Sequence, residues 1–256
     1  MFPFLIIALV SFLASLLTFF SGFGLGTLLM PVMAFYFPLP VAIAATAVVH
    51  FANNIFKAFL LFKLINKKVF LQFAIPALVG TLLGVYLLMD VDPLVLYQVN
   101  WNDKWQSVNL TEFLIALIML FICGLDWIPE GKLKFGKHAV IPGGFLTGFF
   151  GGFTGMQGAI RSAFLSQINL TKEEFVATSS AISILIDSCR IIGYLVAGTL
   201  LFALHAPWPI AVGIAGALTG AVLGKKLLKK TTIQVVKVIT TICIVLFAIM
   251  LMLGLV

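Results

Sequence analysis

Long apolar segments separated by short polar connections run along the whole chain. The segments are 3–37, 40–62, 69–89, 111–127, 139–168, 172–200, 207–224 and 231–255. A helix needs about 20 apolar residues to cross a bilayer, whereas the strands of a membrane barrel alternate apolar and polar residues between frequent turns. The segments are long and lack that alternation. The pattern therefore predicts an all-α integral membrane protein.

Glycine clusters interrupt the first and fifth segments, at 21–26 and 151–158. Glycine in a helix interior costs about 1 kcal/mol relative to alanine, and it adopts backbone conformations that end a helix. Each of these two segments is therefore predicted to be a broken helical hairpin rather than one continuous span.

The two halves of the chain share a motif on the helix that follows each glycine cluster. In the first half, Ala-Ala-Thr precedes Asn54 and Lys57; in the second half, Ala-Thr-Ser precedes Asp187 and Arg190. Glycine pairs of the kind that allow close helix packing in lipid also recur, as Gly80 with Gly84 and Gly216 with Gly220. The sequence therefore predicts a duplicated unit.

The basic residues indicate how the two copies are oriented. Lysines follow the second segment of the first copy, whereas the equivalent connection at 202–207 has no Lys or Arg. Conversely, acidic residues follow the third segment of the first copy, and lysines follow its counterpart at 225–230. Because basic connections stay on the cytoplasmic side, the copies are predicted to be inverted relative to each other, with both termini outside.

The predicted architecture is two inverted-topology repeats, each with a Gly-broken helical hairpin followed by three membrane-spanning helices. The first unit is 1–110, with a core at 3–89 and an outside loop at 90–110. Residues 111–138 supply the fourth span of the first repeat and a basic cytoplasmic connection, and 139–256 form the second, inverted repeat.

Composition excludes several other classes of protein. The chain is 62% hydrophobic and only 10% charged, and no Asp, Glu, Lys or Arg precedes Lys57, so it cannot build a water-soluble surface. The net charge of +7 comes largely from lysines near segment ends, which orient a membrane protein, so no nucleic-acid partner is expected. The cysteines Cys123, Cys189 and Cys243 lie far apart inside apolar segments and predict neither a disulfide nor a zinc site.

Arg161 is the one charged residue between 139 and 171, and it lies three residues after Gly158. A half-helix that begins after a glycine break presents free backbone N–H groups and about half a positive charge at its N-terminus. A guanidinium at that place adds a full charge and a planar fork of donors, which suits carboxylate, sulfite or sulfonate oxygens. The alternative is that Arg161 caps the hairpin or extends to the membrane interface.

Further polar residues interrupt the apolar helices. Asp187 and Arg190 are spaced to form a local ion pair, with either a structural or a transport role. Lys57 shares a helix face with Asn54 and His50, which either lines a cavity or lets Lys57 extend to the cytoplasmic interface. Asp187 and His50 are candidates for coupling transport to protons.

Enzyme motifs are absent from the sequence: there is no G-x-S-x-G, no H-E-x-x-H and no Walker loop, and the histidines lack metal-ligand spacing. We therefore expect no enzyme activity, no cofactor and no metal. The functions that remain are secondary transport and passive permeation. Three alternatives stay open: a membrane subunit that recruits a partner, an intramembrane enzyme using Ser162, and a carrier of cations.

Four motifs follow one another along the chain. They are the glycine cluster from Gly22 to Pro31, the Ala-Ala-Thr with Asn-x-x-Lys, the run Gly158-Ala-Ile-Arg161, and the Ala-Thr-Ser with Asp-x-x-Arg. In this order and spacing the chain resembles the sulfite exporter (TauE/SafE) family of membrane permeases over nearly its whole length. Two positions depart from perfect duplication: Ala163 stands where Pro31 would recur, and the first cluster has no equivalent of Arg161.

The resemblance implies a permease of the cell inner (plasma) membrane that moves sulfite, sulfoacetate or another organosulfur anion, or alternatively a carboxylate. Alternating access would come from one repeat rocking against the other. The expected substrate-binding residues are Gly24, Gly26, Asn54, Lys57, Gly155, Gln157, Gly158, Arg161 and Arg190, and the expected coupling residues are Asp187 and His50.

Overall fold

The computed structural model describes residues 2–17, 19, 24–90, 94–101, 103–127, 139–227 and 233–255. Its α-helices are α1 (Phe2–Leu17), α2 (Leu25–Ala34), α3 (Leu39–Leu61), α4 (Lys67–Asp90), α5 (Leu110–Asp126), α6 (Val140–Thr154), α7 (Gly158–Leu165), α8 (Lys172–Val196), α9 (Thr199–Leu204), α10 (Trp208–Leu227) and α11 (Ile233–Met252). A 3-10 turn, Phe62–Leu64, follows α3, and strands β1 (Val95–Trp101) and β2 (Lys104–Asn109) precede α5.

Both glycine-interrupted segments are broken, as predicted. The first segment gives α1 and α2, and the second gives α6 and α7, with the two halves of each packed against one another. Gly24 (φ 114°) caps α2, and Gly155 (φ 78°) ends α6, in left-handed conformations that favour glycine. The second break is shorter than the glycine cluster, because α6 continues through Gly151 and Gly152 to Thr154. Residues 20–23 of the first break lie outside the described residues.

The glycine pairs of α4 and α10 pack against helices of the other half of the chain. A Cβ on Gly80 or Gly84 of α4 would collide with the backbone of α6, and one on Gly216 or Gly220 of α10 would collide with the backbone of α1. The third helix of each half therefore packs against the broken hairpin of the other half. The backbones approach to a distance that only glycine permits.

Helices α3 and α8 pack against each other in the interior and carry most of the buried polar side chains. Helix α8 begins at a capping box, in which Thr171 accepts from the Glu174 amide and the Glu174 carboxylate accepts from the Thr171 amide. The sequence predicted one segment over 172–200, but α8 ends at Val196 because Gly198 (φ 77°) turns the chain and starts α9. Helices α5 and α11 also pack together.

A β-hairpin is the departure from an all-helical chain among the described residues. Strands β1 and β2 are antiparallel, and Asn100 pairs with Trp105 beside a turn in which Asp103 has φ 61°. The Tyr97 hydroxyl donates to the Met252 carbonyl, and Trp101 Nε1 donates to the Leu253 carbonyl at 2.9 Å. The hairpin thus binds carbonyls at the end of α11. The alternating β-branched and aromatic residues of β1 were the sequence signal for it.

Four of the described helices are long and apolar enough to cross a membrane: α3, α4, α8 and α10. Helices α1, α2 and α6, with the described parts of α5 and α11, are shorter apolar helices. Large apolar side chains are exposed along many of these helices, for example Phe59, Val196 and Phe202, each at least 74% exposed. Such a surface suits lipid rather than water. The chain is a multi-pass membrane protein.

Candidate anion site

The start of α2 lies next to the break between α6 and α7. A Cβ built on Gly26, in the first turn of α2, would lie 3.3 Å from the Gly155 carbonyl oxygen at the second break. The same Cβ would lie 3.8 Å from His50 Cδ2 of α3. Neither α2 nor α7 has a side chain capping its first turn, so backbone N–H groups at both starts remain available. The breaks therefore place two half-helix N-termini near the polar face of α3.

The polar faces of α3 and α8 meet at a buried pair. His50 Nδ1 lies 2.6 Å from Asp187 Oδ2, and both side chains are less than a tenth exposed. Asn54 Nδ2 donates to the His50 carbonyl at 2.8 Å, one turn along α3. Asp187 therefore accepts from a histidine of the other half of the chain, which holds the imidazole against α8.

Arg190 pairs with Asp187 and also hydrogen-bonds to the end of α6. Its Nε lies 2.9 Å from Asp187 Oδ1, which confirms the predicted local ion pair. Its Nη1 donates to the Gly151 carbonyl at 3.1 Å, and the Tyr194 hydroxyl donates to the Gly152 carbonyl at 2.6 Å. Two residues of α8 thus satisfy carbonyls of the helix that leads into the break.

Gln157, in the break itself, joins Arg161 to Asp187. Its Nε2 donates to Asp187 Oδ1 at 2.7 Å, and its Oε1 accepts from Arg161 Nη1 at 3.1 Å. Arg161 Nε donates to Ser179 Oγ at 2.7 Å. Arg161 is only 1% exposed. Its guanidinium therefore lies inside the bundle and does not extend to the membrane interface, so that alternative is wrong.

Lys57 lies two turns beyond His50 on α3 and is 5% exposed, so it too stays inside the bundle rather than extending to the interface. Its Nζ lies 5.4 Å from the centroid of the Phe19 ring, close enough for a cation–π contact. Asn53, on the same helix, accepts from Ser15 Oγ of α1 at 2.8 Å. Lys57 therefore contributes a buried charge at the edge of the cluster.

A family model described as "Sulfite exporter TauE/SafE" matches residues 7–251, which include both broken hairpins and the polar helices between them. The chain belongs to the sulfite exporter TauE/SafE family. TauE/SafE proteins are a transporter family, in agreement with the resemblance seen in the sequence. No curated protein and no solved structure matches the chain.

In this TauE/SafE chain the predicted site residues fall into two sets. Direct side-chain contacts connect the first set: His50, Asn54, Gln157, Arg161, Asp187 and Arg190. The glycines of the second set lie at the two breaks: Gly24 precedes α2, Gly26 follows in its first turn, Gly155 ends α6, and Gly158 begins α7. Lys57 contacts Phe19 rather than a member of the first set.

Two residues of the cluster, Tyr194 and Ser179, were not predicted from the sequence. Tyr194 lies one turn beyond Arg190 and two beyond Asp187, on the same face of α8. Ser179, earlier on α8, accepts from Arg161 Nε. Helical spacing could have indicated the role of Tyr194. The role of Ser179 depends on which helix packs against α8, and a single segment does not show that.

The cluster lies apart from a surface cleft beside the end of α2. That cleft is lined by Ala34–Leu39 residues, the end of α4 and the start of α5, and includes none of the predicted site residues. Nor do the described residues hold a group of His, Cys, Asp and Glu side chains that could bind a metal.

Proposed function

We propose that the chain is a secondary transporter of a small anion, bound as an oxyanion at Arg161, in the cell inner (plasma) membrane. The favoured substrates are sulfite, sulfoacetate and other organosulfur anions. The single observation that supports this most is Arg161: a guanidinium that is 1% exposed, in the first turns of a half-helix, beside two uncapped N-termini.

The energetics support an anion rather than a cation. Removing an anion from water costs several kcal/mol per ion, and this cost is met only where fixed donors and charges replace the hydration shell. Arg161 offers a planar fork of N–H donors, and the backbone N–H groups of α2 and α7 add to it. Asp187, the one buried carboxylate among the described residues, already accepts from Arg190 and Gln157. A cation would have to compete for it with Arg190.

Alternating access between inverted repeats is the mechanism that we propose. This proposal is supported by the packing of α4 on α6 and of α10 on α1, because each of these contacts joins the two halves of the chain. Each broken hairpin, together with the third helix of the other half, is then a unit of helices that could rock against the other unit, with the anion bound between them. Protons are the proposed coupling ion, through the pair of His50 and Asp187, because that pair joins the two halves and both members can bind a proton.

The experiment is a flux panel in proteoliposomes with sulfite, sulfoacetate, taurine, thiosulfate and simple carboxylates. The panel is run on wild type, on Arg161→Ala, and on Lys172→Ala as a matched loss of an exposed positive charge at the start of α8. We expect Arg161→Ala to lose most of the anion flux and Lys172→Ala to keep it. If Arg161→Ala lowers the yield of folded protein but keeps the flux per molecule, the residue locks helices and the site assignment is wrong.

A further inference from the structure

Two buried polar groups near the breaks have no hydrogen-bond partner within the part of the chain that the structure describes. They are Thr46 Oγ1 on α3 and Arg190 Nη2 on α8. Thr46 is 2% exposed and Arg190 is 1% exposed. Proteins pair nearly all of their buried polar groups, because a group that loses water without gaining a partner destabilises the fold. Both groups are therefore candidates for contact with a ligand.

Thr46 lies on the face of α3 that meets both breaks. Ile43 Cγ2 would lie 3.5 Å from a Cβ built on Gly155, and His50 Cδ2 would lie 3.8 Å from a Cβ built on Gly26. Thr46 comes three residues after Ile43 and four before His50, so the three residues share one face of the helix. Thr46 is therefore placed on α3 between the two positions that contact the breaks.

Arg190 approaches Gly155 from α8. Its Nη1 would lie 3.3 Å from the Cβ built on Gly155, and it donates to the Gly151 carbonyl at 3.1 Å. Its Nε lies 2.9 Å from Asp187 Oδ1. Nη2 is bonded to the same carbon atom and is the remaining nitrogen of the planar fork. The ion pair thus holds the guanidinium in place, while one nitrogen beside the break stays available.

The start of α2 adds backbone donors at the same place. This helix has ten residues and no side chain caps its first turn, so its first N–H groups have no partner inside the helix. A Cβ built on Gly26 would lie 3.3 Å from the Gly155 carbonyl oxygen, and among the described residues only that atom and His50 Cδ2 come within 4 Å of it. Gly26 therefore keeps the approach to these N–H groups free of a side chain.

Resting on the proposed function, we propose that Thr46 and Arg190 form a second contact for the transported anion, in addition to Arg161. In this subsite Thr46 Oγ1, Arg190 Nη2 and the first N–H groups of α2 donate to the oxygens of a small oxyanion, sulfite or a sulfonate. Charged acceptors form stronger hydrogen bonds than neutral ones, so the anion offsets the desolvation of these donors. Thr46 belongs to the first half of the chain and Arg190 to the second, so the bound anion joins the two halves.

The test removes the Thr46 hydroxyl while keeping the size of the side chain. In proteoliposomes, Thr46→Val should raise the KM of sulfite and sulfoacetate flux about tenfold, with the maximal rate nearly unchanged, because one hydrogen bond to a charged group is lost. Without anion, the variant should unfold in detergent at the wild-type midpoint or above it, since the hydroxyl has no partner to lose among the described residues. Thr46→Ser keeps the hydroxyl and should keep the wild-type KM.

Ser11→Ala is the matched control. Ser11 Oγ, on α1, is likewise buried without a hydrogen-bond partner among the residues described, but it faces α10, 3.5 Å from a Cβ built on Gly213. This variant should keep the wild-type KM. The subsite is overturned by a wild-type KM in Thr46→Val, by an anion-free midpoint of Thr46→Val below that of wild type, or by an equal rise of the KM in Ser11→Ala or Thr46→Ser.

Binding in detergent separates this inference from the proposed function. Sulfite should raise the unfolding midpoint of wild type, and Thr46→Val should need about tenfold more sulfite for the same rise. That result without flux of any anion would mean that the proposed function is wrong while the subsite stands. Flux that Arg161→Ala abolishes and Thr46→Val leaves unchanged would overturn the subsite alone. If sulfite and sulfoacetate neither raise the midpoint nor are carried, both proposals are wrong.

Discussion

His50 Nδ1 lies 2.6 Å from Asp187 Oδ2, so a helix of the first half and a helix of the second half meet through one buried side-chain pair. The same carboxylate accepts from Gln157 in the break of the second hairpin and pairs with Arg190. Asp187 thus connects α3, α8 and the break. A substitution that removes its charge affects all three elements.

Asp187→Asn is expected to destabilise the protein by about 3–5 kcal/mol, because it leaves Arg190 as a buried cation without its counterion. Thermal unfolding in detergent measures the loss. Glu173→Gln removes a carboxylate from the exposed first turn of the same helix and should leave the midpoint within experimental error. Equal midpoints for the two variants would mean that the ion pair contributes nothing to stability.

A comparison of Gly155→Ala with Gly198→Ala distinguishes the effect of backbone strain from the effect of a contact at the site. Both glycines have a left-handed backbone, φ 78° and φ 77°, so an alanine should cost about 1–2 kcal/mol at either position. Only at Gly155 would the added Cβ lie 3.3 Å from Arg190 Nη1; at Gly198 it meets nothing within 4 Å. We therefore expect both variants to unfold earlier but only Gly155→Ala to raise the KM of anion flux. The same KM in both variants would rule out a role of this break in binding.

Gly148→Ala tests the close packing of α4 on α6. The added Cβ would collide with the backbone of Ala77, and overpacking of this kind costs about 1–3 kcal/mol. Gly124→Ala, in α5, meets nothing within 4 Å and replaces a poor helix former by a good one, so it should be neutral or stabilising. Denaturation midpoints in matched detergent give the comparison, and a neutral Gly148→Ala would show that the helices can separate without loss.

The predicted orientation of the two repeats can be tested at two connections that the sequence predicts to be equivalent, after α3 and after α9. Cysteines are introduced as Lys63→Cys and His205→Cys, both at exposed positions, after Cys123, Cys189 and Cys243 have been replaced by alanine. From the distribution of lysines we expect an impermeant maleimide to label His205→Cys in intact cells, and Lys63→Cys only after permeabilisation. Labelling of both from the same side would exclude the inverted arrangement.

Much of the helical layout follows from local sequence signals. The apolar segments predicted the helices to within a few residues, and the glycine clusters predicted both breaks, because chain length, hydropathy and backbone freedom act locally. The exceptions have local reasons as well. Gly198 ends α8 early through its left-handed backbone, and the alternation of side chains in β1 specifies a strand in the connection that was predicted as a loop.

Some features of the candidate site likewise follow from the sequence, whereas others depend on the tertiary structure. By itself the sequence determined which charged residues lie in apolar helices, that Asp187 and Arg190 share a helix face, and that glycines begin the half-helices, since helical periodicity and propensity fix these relations within one element. Only the tertiary structure decided that Asp187 meets His50, that Gln157 joins it to Arg161, and that each third helix packs on the hairpin of the other half. These contacts join residues far apart in the chain, and they depend on how close two backbones approach, which no single segment encodes.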